Sequence, residues 1–148
     1  MFVCTGNTCR SPMAHVFLAS QIRNIPEFAH YTVTSAGLWV REGQESSSDV
    51  RTIAKARGFS LEDHRAQSLT QTMVDQAVAI LCVTLAHEKF LKENFVNLPK
   101  TCTSFLEFGN DIADPYAGNA ETYERIAAEI EQKIPSIIEF LRKELNDH

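Results

Sequence analysis

Short apolar runs alternate along the chain with longer segments in which apolar residues recur every three or four positions. The apolar runs predict four strands, at residues 1–3, 31–36, 77–84 and 101–105. The longer segments predict helices over 12–24, 49–57, 71–76 and 86–95, and a last helix that begins near Ala120. Strands that alternate with helices predict an α/β fold with a parallel sheet and right-handed crossovers.

In such a sheet, ligands bind beyond the carboxyl ends of the strands, where the strand order reverses. Cys4 follows the first predicted strand directly, and a predicted helix begins a few residues later. The segment between that strand and that helix is therefore the first place to look for a functional site.

The size and the charge of the chain narrow its class. It has 148 residues, which suits a single domain over 1–148. An excess of acidic residues gives a net charge of -5, and no basic stripe is present, which argues against nucleic acid as the main partner. No apolar run is long enough for a membrane span and no signal peptide precedes Cys4, so we expect a cytoplasmic protein without a membrane partner.

The four cysteines are candidates for reactivity or for core packing. Thiols stay reduced in the cytoplasm, so we expect no structural disulfide. Cys4, Cys9, Cys82 and Cys102 form no C-x-x-C motif and no cluster with the spacing of zinc ligands, so we expect no metal site. Cys82 lies inside an apolar run and is expected to belong to the core.

Residues 4–11, with the sequence CTGNTCRS, have the composition of an anion-binding loop. Gly6 can relax the turn and Asn7 tolerates a left-handed conformation, so that successive backbone N–H groups can curl around one centre. Ser11 and Pro12 predict the start of a helix with Ser11 as its N-cap, and a helix N-terminus attracts an anion. The sequence therefore predicts a binding loop for phosphate or a related oxyanion, made of Thr5, Gly6, Asn7, Thr8, Cys9, Arg10 and Ser11.

The same loop offers a nucleophile and a cation. Cys4 would lie at its floor, where the N–H groups that hold an anion also stabilise a thiolate. A thiolate that faces a bound phosphoryl group is an in-line nucleophile, and the Arg10 guanidinium can grip the phosphoryl oxygens. The G-K-[ST] ending of an ATP-binding loop is absent, so ATP binding is not implied. The alternative is that Cys4 and Cys9 are ordinary buried thiols, which the surrounding motif argues against.

The segment resembles the signature loop of the low-molecular-weight protein tyrosine phosphatase family, C-x-G-N-x-C-R-S-P. Every fixed position of that pattern is matched between Cys4 and Pro12. The resemblance extends along nearly the whole chain through TSAG at 34–37, HRAQSL at 64–69, ILCVT at 80–84 and DPY at 114–116. It implies a three-layer, flavodoxin-like fold with a four-stranded parallel sheet flanked by helices. It also implies hydrolysis of phosphorylated proteins through a phosphocysteine intermediate, with no metal and no cofactor.

The resemblance assigns two further catalytic roles. Asp114, which precedes Pro115, corresponds to the general acid of the family. It would protonate the leaving group and then, as a base, activate water against the phosphocysteine. Ser11 would donate a hydrogen bond to the Cys4 thiolate as well as cap the helix. An isolated Asp-Pro pair usually marks only a turn, so the assignment of Asp114 depends on its place in the family order.

The resemblance also suggests supporting residues. Ser35 and His64 would hold Asn7, although His64 could equally be a surface residue. Cys9 would form a disulfide with Cys4 under peroxide and so protect the nucleophile, or else would only pack. The other histidines match no motif, and we interpret them as surface or packing residues: His15, His30, His87 and His148.

Residues near the loop bear on the substrate. Trp39 and Tyr116 are candidates to flank a planar group, either an aromatic ring or a guanidinium. By resemblance, phosphotyrosine members carry a branched apolar residue at the position of Thr8, whereas the protein arginine phosphatase branch carries threonine. Ala117 stands where many tyrosine phosphatases have a second tyrosine. We therefore favour phosphoarginine as the substrate, with phosphotyrosine as the alternative.

Two other classes of function fit less well. Arsenate reductases of the same fold use a similar loop, but they need two further cysteines about seven residues apart. Cys82 and Cys102 are too far apart in the sequence to match that pattern. A module that binds phosphoproteins without turnover would not need an intact nucleophile, arginine and acid.

Overall fold

The computed structural model describes residues 1–146, so the interpretation of His148 lies outside the described residues. Four strands are present in this range: β1 (Phe2–Cys4), β2 (Ser35–Gly37), β3 (Ala79–Cys82) and β4 (Thr101–Ser104). The α-helices are α1 (Arg10–Ile22), α2 (Ser48–Ala56), α3 (Gln71–Gln76), α4 (Leu85–Asn94) and α5 (Ala120–Asn146). Two short 3-10 helices, at Pro26–Phe28 and Phe105–Phe108, were not predicted from the sequence.

All strands are parallel and form one sheet in the order β2-β1-β3-β4. Alternate residues of the strands face opposite sides, as Phe2 and Val3 do, and each side packs against helices. One side is covered by α1, α2 and α5, and the other by α3 and α4. The predicted three-layer α/β fold is therefore confirmed.

The strands are shorter than the apolar runs that predicted them. β2 was expected over 31–36 but extends only over Ser35–Gly37, because its neighbour β1 offers three residues for pairing. β3 was expected over 77–84 but ends at Cys82, since Thr84 becomes the N-cap of α4. The sequence pattern marks buried segments, whereas the length of a strand depends on its partners.

The apolar stripe of α5 forms much of the core on its side of the sheet. Its members lie at helical spacing and are all buried: Ile126, Ile130, Ile134, Ile137, Leu141 and Leu145. Burial of each such side chain contributes roughly 1.5–3 kcal/mol, which anchors the helix. No helix within residues 1–146 combines the length and the apolar character needed to cross a membrane.

Candidate active site

Cys4 is the last residue of β1, at the carboxyl edge of the sheet. β1 lies between β2 and β3, so the connection after β1 leads to a neighbour on one side, and the connection after β2 crosses to the neighbour on the other side. This is the reversal of strand order at which α/β sheets bind ligands. The predicted phosphate-binding loop, residues 5–11, starts at this point, and its last two residues already belong to the first turn of α1.

The turn of the loop depends on Asn7, which adopts a left-handed φ of 57°. Gly6, which we expected to relax the turn, has no positive φ, and a Cβ atom there would meet only Thr8 Oγ1, at 3.9 Å. Glycine is needed instead at Gly37, at the end of β2. A Cβ atom at Gly37 would lie 2.7 Å from the Thr5 carbonyl oxygen, so the loop backbone rests directly on β2.

The Asn7 side chain ties the loop to its surroundings. Its Oδ1 accepts a hydrogen bond from the Gln67 backbone N–H at 3.0 Å, which fixes the orientation of the amide. Its Nδ2 then donates to Ser35 Oγ at 3.1 Å and to Ser11 Oγ at 2.8 Å. His64 Nε2 lies 2.8 Å from the Asn7 carbonyl oxygen. The structure thus brings Ser35 and His64 to Asn7 and adds Gln67, which sequence reasoning missed.

Ser11 faces the nucleophile candidate and does not cap the helix. Its Oγ lies 2.9 Å from Cys4 Sγ. Because that oxygen accepts from Asn7 Nδ2, its own hydrogen is free for the sulfur. The backbone N–H of Asn7 also donates to Cys4 Sγ, at 3.3 Å. Two donors therefore converge on the Cys4 sulfur, which suits a thiolate.

The prediction that Ser11 is the N-cap of α1 was wrong. The helix begins at Arg10, and Cys9 is its N-cap without a side-chain cap. The reason is that the Cys9 carbonyl already accepts the first helical hydrogen bond, from Met13 N–H at 3.1 Å. Ser11 is therefore inside the first turn, where its side chain can turn toward Cys4.

Arg10 is almost fully buried, with only 5% of its side chain exposed, and its guanidinium is held on both sides. One terminal nitrogen, NH1, donates to the Ile112 carbonyl at 2.8 Å. The other, NH2, donates to Thr5 Oγ1 at 3.3 Å and lies 3.8 Å from Asp114 Oδ2. The structure thus joins Arg10 and Asp114, which are distant in sequence, at the loop.

Asp114 belongs to an exposed segment that precedes α5. Its Oδ1 accepts the Tyr116 N–H at 3.0 Å, so the D-P-Y sequence forms a tight turn. Ala117 follows with a left-handed φ of 62°, which costs energy in a residue with a side chain. Tyr116 is 84% exposed beside the carboxylate. This candidate wall residue therefore lies next to Asp114, with its ring in solvent.

Trp39, the other candidate wall residue, is fixed next to the loop at its backbone. Its N–H donates to the Thr5 carbonyl at 2.9 Å. Trp39 is 59% exposed, and its ring packs against the Phe90 ring in an edge-to-face arrangement, with a centroid distance of 4.7 Å. Phe90 of α4 was not predicted from the sequence to belong to the site, and its contact restricts the orientation of the indole ring.

Thr8 and Cys9 lie on the α2 side of the loop. The Thr8 carbonyl accepts the Ser47 N–H at 3.3 Å, and Thr8 Oγ1 lies 3.7 Å from Cys9 Sγ. Cys9 Sγ is also 3.5 Å from Ser47 Oγ. Burial raises the pKa of the Cys9 thiol above its ordinary value, so this thiol is a weaker nucleophile than a free cysteine at neutral pH.

His87, to which the sequence assigned no role, lies in the site and is 6% exposed. Its Nε2 is 2.8 Å from Thr5 Oγ1, and its Nδ1 is 2.9 Å from Thr84 Oγ1. Burial and the nearby Arg10 charge lower its pKa to about 4, so the ring is neutral at physiological pH. The Thr-x-x-His spacing at the start of α4 could have indicated a side chain that turns back toward the cap.

The other cysteines are remote from this chemistry. Cys82 is fully buried in β3, as expected, and Cys102 lies in β4. Burial raises the pKa of both thiols. Within residues 1–146, no three His, Cys, Asp or Glu side chains lie close enough together to hold a metal ion.

An α/β sheet that places a cysteine thiol at the floor of an anion-binding loop, with an arginine and an aspartate beside it, has the arrangement of a cysteine-dependent phosphatase. Within this class, residues 1–147 match the model of the family described as low molecular weight phosphotyrosine protein phosphatase. The chain belongs to this family. It is accordingly a cysteine-dependent hydrolase that acts on phosphorylated proteins.

The relatives include two named substrate classes. A protein arginine phosphatase from Geobacillus stearothermophilus is 33% identical, over 97% of this chain and 96% of its own. The crystal structure of a low molecular weight protein tyrosine phosphatase from T. tengcongensis is 32% identical, with a TM-score of 0.85 over 95% of this chain and 97% of that one. Overall identity therefore does not separate the two substrates.

A third relative bears on the intermediate. It is an arginine phosphatase variant solved with a phosphorylated active-site serine in place of cysteine. It is 26% identical to this chain, with a TM-score of 0.86 over 96% of this chain and 94% of that one. In that protein the residue at the nucleophile position carries the phosphoryl group, as a covalent mechanism requires.

Proposed function

We propose that the protein is a protein arginine phosphatase in which Cys4, Arg10 and Asp114 carry the chemistry. The observation on which the choice of substrate depends is the threonine hydroxyl at position 8, at the half-exposed rim of the loop. Phosphotyrosine relatives are expected to carry a branched apolar side chain there. The Thr8 hydroxyl can instead hydrogen-bond to a guanidinium, and it leaves room for one.

In the first step, the Cys4 thiolate attacks phosphorus and forms an S–P bond. The P–N bond of phosphoarginine breaks, and its electron pair stays with the guanidine nitrogen, which takes a proton from Asp114. Arg10 and the loop N–H groups hold the three equatorial oxygens, over which negative charge is spread. The geometry in favour of this step is the 3.8 Å approach of Arg10 NH2 to Asp114 Oδ2 beside the loop.

In the second step, water attacks the phosphocysteine on the side that the arginine has left. Asp114, now ionised, takes a proton from the water as the S–P bond breaks. The departing Cys4 thiolate is stabilised by the Ser11 hydroxyl at 2.9 Å and by the Asn7 N–H at 3.3 Å. Phosphate then leaves the loop, and the protons balance over the cycle.

The position of Asp114 is compatible with a guanidine leaving group. The Asp114 side chain is 55% exposed, so the acid can reach the nitrogen that it protonates. The same acid could protonate a phenolate, so Asp114 does not distinguish the two substrates. The choice of substrate therefore depends on Thr8.

Phosphotyrosine is the second candidate, because the aromatic residues Trp39 and Tyr116 could flank a phenol. The Trp39 ring lies against Phe90, and the ring of Tyr116 is exposed beside the acid. Aromatic rings can stack on a phenol as readily as on a guanidinium, so the wall fits either substrate. The choice between phosphoarginine and phosphotyrosine therefore depends on Thr8.

The test compares phosphoarginine and phosphotyrosine peptides of the same sequence, on the wild type and on Thr8→Ile. The wild type should favour phosphoarginine in kcat/KM. Thr8→Ile should lower phosphoarginine turnover by at least about tenfold, or about 1.4 kcal/mol of transition-state binding, while phosphotyrosine turnover holds or rises. The ratio of the two kcat/KM values is the decisive quantity, because it cancels general damage to the loop.

Two controls frame this test. Thr32→Ile makes the same change at an exposed position that precedes β2, at the opposite edge of the sheet, and should leave the ratio unchanged. Cys4→Ser gives the baseline without a thiolate. A ratio that does not move in Thr8→Ile would remove Thr8 as the selector, and a wild-type preference for phosphotyrosine would make the second candidate the function.

A further inference from the structure

The Arg10 guanidinium has two protein anchors of different kinds. The Ile112 carbonyl is a rigid one, because the Ile112 N–H is itself bonded to the Val83 carbonyl at 2.9 Å. The Thr5 hydroxyl is the other, and a half-exposed threonine side chain can rotate. A rotation of Thr5 about its Cα–Cβ bond would remove the acceptor from Arg10 NH2.

His87 holds the Thr5 hydroxyl in place. The ring is buried and lies between two threonines, at 2.8 Å from Thr5 Oγ1 and 2.9 Å from Thr84 Oγ1. The backbone also contributes, since the His87 N–H donates to Thr84 Oγ1 at 3.2 Å. Both ring nitrogens are therefore occupied, and the orientation of the imidazole is fixed.

The neutral state of the ring suits this arrangement. A neutral imidazole donates through one nitrogen and accepts through the other, so it fits two hydroxyl groups in either tautomer. The pKa of His87 is lowered to about 4, first by burial and then by the Arg10 charge. A charged ring would place a second cation next to the Arg10 guanidinium, and the two positive charges would repel each other.

We propose that His87 is a positioning residue for catalysis, which fixes the Thr5 hydroxyl and through it the phosphate-gripping guanidinium of Arg10. The inference rests on the role of Arg10 in the proposed function. It assigns a function to the junction between β3 and α4, which contributes no group to the loop itself. It also explains why a polar ring is buried where an apolar residue could pack.

The test measures kcat/KM for p-nitrophenyl phosphate and the inhibition constant of inorganic phosphate. His87→Phe keeps a planar aromatic ring and loses both hydrogen bonds, while Thr5→Val keeps the shape of Thr5 and loses its hydroxyl. Each should lower kcat/KM by roughly tenfold to a hundredfold, the scale expected for a misplaced catalytic group, and should weaken phosphate binding in parallel. The kcat/KM of the double variant should be no lower than that of the less active single variant, because both changes break the same hydrogen bond between His87 and Thr5.

Two further variants separate positioning from packing. Leu91→Ala empties a buried position of the same helix without touching the loop, so it should lower the melting temperature and leave kcat/KM near the wild-type value. His87→Gln restores an amide that can reach Thr5, and it should recover activity relative to His87→Phe. If damage to α4 alone explained the losses, Leu91→Ala would lower kcat/KM as well, and His87→Gln would not recover activity.

The outcomes also distinguish this inference from the proposed function. If Arg10→Lys retained full activity, the proposed role of Arg10 would fail, and this inference with it. If Arg10→Lys is inactive but His87→Phe lies within twofold of the wild type, the inference alone is wrong. Additive losses in the double variant would also overturn it, and Thr5→Val tests the same connection if His87→Phe does not fold.

Discussion

Arg10 and Asp114 meet at the mouth of the phosphate-binding loop, with 3.8 Å between the guanidinium NH2 and the carboxylate Oδ2. Only the arginine is buried, since 55% of the Asp114 side chain is exposed. An ion pair with so exposed a partner contributes little to stability, because water screens it. A phosphoryl dianion in the loop would compete for the guanidinium and release the carboxylate. We infer that the pair keeps Asp114 close to the reacting phosphorus without locking it there.

Asp114→Asn tests this carboxylate as acid and base. The amide keeps the size of the side chain but can neither give nor take the proton, so peptide turnover should fall by roughly 10²–10⁴. An aryl phosphate with a very good leaving group needs less protonation, and its burst phase should suffer less. The measurement is pre-steady-state kinetics with a series of leaving groups.

Asp111→Asn is the matched control for that variant. Its carboxylate accepts the Leu85 N–H at the start of α4, at 3.0 Å, and an asparagine oxygen can do the same. Its activity should therefore stay near the wild-type level. Equal losses for good and poor leaving groups in Asp114→Asn would point to a structural role for Asp114 in the turn with Tyr116.

The part of the site that is local in sequence could be predicted from the sequence. The sequence from Cys4 to Ser11 carries its own turn residue and leads directly into a helix, so a loop at the end of β1 follows from short-range rules. The details of that loop were less predictable. Asn7 was predicted to tolerate a left-handed conformation and adopts one, with its side chain held by Ser35 and the Gln67 backbone. Gly6, which was predicted to relax the turn, has no positive φ.

Contacts between distant segments could not be predicted in the same way. His87 reaches Thr5 only because β3 pairs directly with β1, and no local pattern specifies that pairing. Ser11 has the preferred chemistry of an N-cap, but α1 already begins at Arg10, and the Ser11 hydroxyl lies against Cys4 Sγ instead. The strand lengths likewise depended on partners, as the three residues of β2 opposite β1 demonstrate.

Cys9→Ser tests the proposed redox role of Cys9. Peroxide should inactivate the wild type reversibly, with recovery in dithiothreitol, because a Cys4–Cys9 disulfide would prevent further oxidation of Cys4. Without the second thiol, recovery should be largely lost. The measurements are the activity recovered and the mass spectrum of the oxidised peptides.

The raised pKa of the Cys9 thiol adds a condition to this test. Disulfide closure depends on the thiolate fraction of the attacking cysteine, so the protected fraction should increase from pH 6.5 to pH 8.5. Cys102→Ser, in β4, is the matched control and should behave as the wild type. Absence of a Cys4–Cys9 link in the oxidised wild type would limit Cys9 to packing against Thr8 and Ser47.

The last prediction concerns stability against pH and uses His15 of α1, which lies outside the loop. Burial, and to a lesser extent nearby His64, lowers its pKa from 6.5 to about 4. Between these two pH values the unfolded chain binds the proton more readily than the folded one. The contribution of His15 to the free energy of unfolding is therefore fully present above about pH 6.5 and is lost as the pH falls toward 4.

His15→Gln removes this titration, so its stability should fall less steeply than that of the wild type between pH 7 and pH 5, as measured by urea denaturation. His30→Gln, at an exposed position, controls for the change of side chain. Parallel curves for the wild type and His15→Gln would mean that His15 is protonated in the folded protein as easily as in the unfolded chain.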